Sequence, residues 1–263
     1  MWNALKQHWP EYLMEAAGLG LFMISACAFG VLFEYPSSPV RRALGDAFVR
    51  RSLMGLAMGS TAIALIYSPW GQRSGAHLNP SVTLAFFRLR KVARWDAFFY
   101  LLAQFAGGVA GVRLVAAVAG TALAHPAVNY VVTVPGPRGP RVAFVAELLI
   151  SFLLMLVVLA VLNSKSLSRF TGLFAGVLLA AYITLEAPFS GMSMNPARTF
   201  GSALPAQAWT SLWVYFVAPP LGMLLAAGVY LRLRGAHGIF CAKLHHHNNK
   251  RCIFGCGYGV AVR

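Results

Sequence analysis

Acidic residues are nearly missing from this chain. Asp and Glu together number 7 in 263 residues, against 22 Lys and Arg. That scarcity argues against carboxylate-dependent catalysis, and no carboxylate pair, Ser/His/Asp set or His-Glu-x-x-His motif occurs. His77 has no obvious orienting acid near it in sequence, so we expect no enzyme. An inverted-repeat secondary transporter coupled to protons or sodium, the alternative of a different class, also needs titratable groups along its path. Only Glu15, Glu147 and Glu186 fall within or near the apolar segments. Charge of either sign is sparse, at 11% of residues, where soluble proteins carry about 25%. Cysteine is scarce as well. One of the four, Cys27, lies in an apolar run and the others cluster near the end, so they say little about disulfides.

What the chain has instead is apolar bulk. Hydrophobic residues make up 58% of it and the mean hydropathy is +0.64. They come in blocks of roughly 20 residues, the length a helix needs to cross about 30 Å of hydrocarbon. Six blocks read as spanning helices, at about 11–33, 49–68, 96–119, 141–162, 170–187 and 209–232. Residues 1–10 read as a short N-terminal segment, 11–232 as a membrane domain in two halves (about 11–120 and 141–232), and 233–263 as a basic His/Cys-rich tail. No short apolar region with a small-residue cleavage site precedes the first block, so we expect it to be retained. An even number of spans puts both termini on one side. Most Lys and Arg lie in the segments assigned to that side, which predicts cytoplasmic termini in a plasma (inner) membrane. The net charge of +15 fits loops touching anionic headgroups. No basic stripe with interleaved aromatics suggests nucleic acid.

The chain repeats itself. "SGAHLNPSVT" (Ser74–Thr83) aligns with "SGMSMNPART" (Ser190–Thr199), and a glutamate stands in the first helix of each half, Glu15 and Glu147. Three spans per half place the second copy in inverted orientation. Each motif contains Asn-Pro, which reads as a helix start. Asn caps free N–H groups with its side-chain oxygen, and Pro at the first helical position loses no hydrogen bond. From Asn79 to Phe87 such a helix is roughly 14 Å long, half a bilayer core. Non-helical backbone at that depth is tolerated only against protein or a wet cavity. Gly75, Ala76 and His77 in the first copy, and Gly191 and Ser193 in the second, are therefore expected to line a pore. Asn79 and Asn195 are expected to meet at its centre, each with a free NH2 donor, under the positive ends of two half-helices.

On these paired motifs, the two glutamates and Gln104, the chain resembles an aquaporin, a member of the major intrinsic protein family. The resemblance covers Glu11 to about Arg232. It implies an all-α membrane protein with six transmembrane helices, two re-entrant half-helices and an inverted repeat. It further implies a homotetramer in the lipid bilayer with a pore in every protomer. The function implied is a passive channel for water and other small neutral solutes that excludes protons and ions, with no cofactor. Asn79 and Asn195 become central donors, Arg198 the arginine of the outer selectivity filter, and His77 a residue on the inner side of the pore. Glu15 and Glu147 become buried acids that bond to loop backbone.

Four positions depart from the common pattern. Ser81 stands where most relatives have Ala. Ile183 falls where water-selective members carry His, and Met192 takes another filter position. Met54 occupies the place on the second helix usually held by an aromatic residue, with Met58 as its competitor. This apolar filter favours glycerol, hydrogen peroxide or another small neutral solute. In contrast, Thr199, Ala203, Tyr215 and Phe216 resemble water channels, so water is the first reading and the other small solutes the alternative. In the tail, Cys241, His245, His246, His247, Cys252 and Cys256 crowd within sixteen residues. Four of them could hold zinc, with Cys241, His245, His247, Cys252 and Cys256 as the candidates. The spacing matches no finger pattern, and a basic tail with reduced thiols is the other reading.

Overall fold

The computed structural model describes residues 1–235 and 238–258. Six long helices dominate: α1 (Trp2–Glu34), α2 (Ala47–Tyr67), α4 (Arg94–Ala119), α5 (Pro140–Leu162), α6 (Thr171–Leu185) and α8 (Leu212–Arg234). Two shorter helices, α3 (Pro80–Arg88) and α7 (Pro196–Ala206), stand in corresponding places of the two halves. Lipid as solvent explains the distribution of side chains. Leu13, Leu56, Leu102, Leu149, Val177 and Leu225 face outward, whereas Glu11, Glu15, Gln104, Glu147, Ser151 and Thr199 are fully buried. That inside-out pattern suits helices whose outer surfaces meet hydrocarbon.

The pairing of helices follows the repeat. α1 packs along α4 and α5 packs along α8, as equivalent pairs, while α2 packs on α6 across the pseudo-two-fold axis. Small residues permit the close crossings. A Cβ on Gly107 of α4 would collide with the Ala16 carbonyl of α1, so the backbones touch there. Gly107→Val should therefore lower the Tm of the detergent-purified protein, at a cost of about 1–3 kcal/mol or more. Gly45→Ala, at a site with open space around it, serves as the neutral control. A Gly107→Val protein as heat-stable as wild type would contradict this packing.

The first helix starts earlier than the span expected at 11–33: α1 begins at Trp2 and runs through Pro10. Its first turns are tied down by tertiary contacts. His8 Nδ1 lies 2.7 Å from Asp96 Oδ1, and the Tyr12 hydroxyl also donates to Asp96. The tail packs against the helical domain. Its residues 238–258 fold back across the membrane face that carries the N-terminus, burying Ile239, Cys241, Lys243, Leu244 and Phe254. The remaining span boundaries move by a few residues; Asp46, for instance, caps α2 through Val49 N and starts it at Ala47.

Candidate functional site: a central constriction between two half-helices

Each half-helix begins on its asparagine. Asn79 Oδ1 accepts from Ser81 N at 2.8 Å, and Asn195 Oδ1 accepts from Ala197 N at 3.1 Å and Arg198 N at 3.2 Å. Pro80 and Pro196 occupy the first helical positions. The NH2 groups are not wholly free, contrary to the sequence reading. Asn79 Nδ2 donates to the Met194 carbonyl and Asn195 Nδ2 to the Leu78 carbonyl, both at 2.7 Å. One hydrogen of each amide is thus spent locking the two repeats together. An amide NH2 carries two hydrogens, so each Asn retains a second donor beside the cavity.

The approach to each helix is an extended loop with unusual backbone. Gly75, Ala76 and Leu78 in the first copy have positive φ, as do Gly191, Met192 and Met194 in the second. The left-handed region costs a non-glycine residue roughly 1 kcal/mol or more, so something must hold these loops. Glu15 and Glu147 do so in parallel. Glu15 accepts from Ser74 Oγ (2.8 Å), His77 N (3.0 Å), Leu78 N (2.7 Å) and Gln104 Nε2 (2.8 Å). Glu147 accepts from Ser190 Oγ, Ser193 N and Met194 N, each at 2.7 Å. Two tyrosines complete the mirror. Tyr100 OH donates to the Ser74 carbonyl and Tyr215 OH to the Ser190 carbonyl. Sequence reasoning missed Tyr100, and it read Tyr215 as an aromatic feature of water channels. Their equivalent places in the third helix of each half carried the signal.

Two cavities lie along the axis. The outer one, about 250 Å³, is lined by Met54, Met58, Ile183, Met192, Gly191 and Ser193 among others, with Glu34 and Arg51 also on its wall. Both Met54 and Met58 therefore face it. The central one, about 120 Å³, is bounded by Ala76, His77, Asn79, Asn195 and Leu244. Arg198 lines both and stands at their junction. Its Nη1 is buried without a partner among the described residues, a donor left for whatever passes. Gly75 lies off the cavity wall, where its carbonyl accepts from Leu244 N at 3.1 Å.

The inventory of buried acids needs correction. Besides Glu15, Glu147 and Glu186, Glu11 is fully buried against Arg73 Nε (2.9 Å) and Asp96 is buried against His8. None of these five lines either cavity. Glu186 sits just past the end of α6, where burial, reinforced by the Glu147 carboxylate, pushes its carboxyl up to about 8.

In the tail, the metal-ligand set differs from the one expected. Cys241, Cys252 and Cys256 come together with His246, and not with His245 or His247. Alternate side chains of an extended segment share a face; here His245 and His247 lie together, their rings 6.0 Å apart, and His246 is the one beside the cysteines. His245 packs edge-on to Tyr67 at 4.8 Å, and His247 Nε2 lies 2.9 Å from Ser168 Oγ.

An inverted repeat of three spans and a half-helix, with two capped N-termini meeting at a narrow axial cavity, defines a pore-forming integral membrane protein. Residues 2–230 match the family described as Major intrinsic protein, and the chain belongs to that family. It is 36% identical over 187 residues to Aquaporin NIP3-1 of Oryza sativa subsp. japonica, covering 69% of this chain and 58% of that one. To Aquaporin NIP2-2 of Zea mays it is 34% identical over 220 residues, covering 82% and 72%. The chain thus spans less than two thirds of the length of some relatives it matches. Its fold is shared with the X-ray structure of the aquaglyceroporin from Plasmodium falciparum, at a TM-score of 0.70 and 21% identity over 85% of this chain and 96% of that one.

Proposed function

We propose that the protein is a passive channel, with a pore in each protomer, that conducts water and small neutral solutes and excludes protons and other ions. The observation that carries this reading is the junction of the two cavities. There the N-termini of α3 and α7 converge on Asn79 and Asn195, and Arg198 offers an unpaired Nη1. A permeant at that point meets donors and a positive potential, which binds a neutral oxygen and repels cations. Glu186, whose two carboxylate oxygens have no hydrogen-bond partner among the described residues, lies off both cavities with the other acids that a proton- or sodium-coupled transporter would use, apart from Glu34. That residue pairs with Arg50 at 3.1 Å. The relatives are named aquaporins and the family is one of channels rather than enzymes.

Within this reading, solutes larger than water are favoured by the outer cavity. The flexible thioethers of Met54, Met58 and Met192, with Ile183, give it an apolar wall, a partner for the carbon skeleton of a glycerol-like molecule. We place the termini in the cytoplasm of a plasma (inner) membrane and assign a homotetramer, from the Lys/Arg bias and the family. Stopped-flow light scattering of proteoliposomes with water, glycerol and urea tests the function. Fast flux of water or glycerol down its own gradient, with no proton or sodium gradient, is expected; flux that needs a proton or sodium gradient would sink the channel reading. Arg198→Ala should admit larger solutes or cations, and an unchanged selectivity profile would remove Arg198 from the filter.

A further inference from the structure

The tail lies beyond the region that matches the family, and it occupies the mouth of the pore on the N-terminal side. Leu244 forms part of the wall of the central cavity. The His77 ring is enclosed by the tail. Its Nε2 lies 2.8 Å from the Ala242 carbonyl, and Phe254 stacks on it at 5.3 Å between ring centres. A carbonyl can only accept, so Nε2 donates there. Contacts at several points around the mouth hold the tail down. Phe240 N donates to Asn163 Oδ1 at 2.7 Å, Gly255 N to the Lys91 carbonyl at 2.8 Å, and Arg251 Nη1 to the Gln7 carbonyl at 3.0 Å.

So short a segment has little core of its own, and a folded segment of this size ordinarily needs a staple. One is present in the arrangement of its ligands. The Sγ atoms of Cys241, Cys252 and Cys256 and a ring nitrogen of His246 all lie within 4.8 Å of one another. Cys241 Sγ and Cys252 Sγ are 3.5 Å apart, and Cys256 Sγ is 3.1 Å from His246 Nε2. Zinc bonds of about 2.0–2.3 Å in a tetrahedron place ligand atoms roughly 3.5–3.8 Å from each other. The observed spacings bracket that range. Three thiols and one imidazole on a tetrahedral scale select zinc. The outer contacts are also those of a metal knuckle. Lys243 N donates to Cys241 Sγ at 3.5 Å, and Asn248 closes the loop that carries His246 by donating to the His245 carbonyl at 2.7 Å.

We propose that Cys241, His246, Cys252 and Cys256 bind one zinc ion, and that this ion staples the tail over the mouth as a plug, shutting the pore while the metal is bound. The closure clause rests on the channel reading; the metal site does not. The test uses the purified full chain, grown with zinc. Elemental analysis should find one zinc per chain in wild type and none in Cys252→Ser/Cys256→Ser, with unchanged helical circular dichroism. Cobalt loading should give the visible bands of a tetrahedral thiolate site. Hydrogen exchange of residues 238–258 should accelerate in the double variant or after chelation. In proteoliposomes, chelation or the double variant should raise flux by roughly fivefold or more. Leu244→Ala, which keeps all four ligands, should raise flux while retaining zinc. Absence of zinc, iron in its place, or a Cys241–Cys252 disulfide by peptide mapping would overturn the site. Bound zinc with flux unchanged by its removal would overturn the plug. No flux in either the stapled or the released form would overturn the channel reading and the closure with it, leaving zinc binding to stand on its own measurement.

Discussion

Glu147→Gln should leave little functional protein. The carboxylate receives three hydrogen bonds, from Ser190 Oγ, Ser193 N and Met194 N, and is fully buried. An amide has one acceptor oxygen and one NH2, so at least one of these donors would face another donor. A buried donor left unpaired costs about 1–3 kcal/mol, and hydrogen bonds to a charged group are stronger than neutral ones. The loop it supports already holds Met192 and Met194 at positive φ, so the loss falls on backbone with no reserve. The expected result is a large drop in Tm for the detergent-purified protein and flux near the level of empty vesicles. Glu15→Gln should behave alike, because Glu15 collects four donors at the equivalent place. A Gln variant at either site with wild-type Tm and flux would show that the loops hold themselves.

That prediction marks where the sequence stopped being legible. The spans were readable because lipid demands long apolar helices, and the half-helices because Asn-Pro caps a helix and the run after it is half a membrane long. The pairing of Glu15 with Glu147 followed from the repeat. What the sequence could not convey was direction. Nothing in "SGAHL" announces that Ala76 and Leu78 adopt left-handed backbone, since the loop is held by a glutamate that accepts from Leu78 N across 63 residues of chain. The cross-bonds of Asn79 and Asn195 were equally hidden, because the acceptors are backbone carbonyls of the opposite repeat. The N-terminal turns were cut at Pro10 on local grounds, while the decisive contact, His8 with Asp96, is tertiary. In the tail the ligand types were visible, but composition cannot rank His245, His246 and His247. Only the packing of His245 on Tyr67 and of His247 on Ser168 leaves His246 for the cysteines.

The second large effect separates the two tasks that each central asparagine performs. Asn195→Ser keeps a good cap, since serine oxygen serves the first free N–H groups nearly as well as asparagine. The shorter side chain cannot reach the Leu78 carbonyl, which Asn195 Nδ2 meets at 2.7 Å, and it offers no amide donor to the cavity. Asn195→Ala loses the cap as well. If capping were the whole role, Ser would behave as wild type and Ala would cost about 1 kcal/mol in stability. If the amide is also the donor that replaces a permeant's lost hydration, Ser should slow flux about tenfold, the equivalent of one hydrogen bond near 1.4 kcal/mol. Its Tm should fall only slightly. Asn79→Ser should match it, since Asn79 Nδ2 makes the reciprocal bond to the Met194 carbonyl. The double variant unlocks both cross-bonds, and the widened junction beside Arg198 should then pass solutes that wild type rejects. Measuring Tm and water and glycerol flux on the same preparations distinguishes the outcomes. Serine variants that conduct and discriminate as wild type does would reduce both asparagines to helix caps, and would shift the selectivity of the pore to Arg198 and the apolar wall above it.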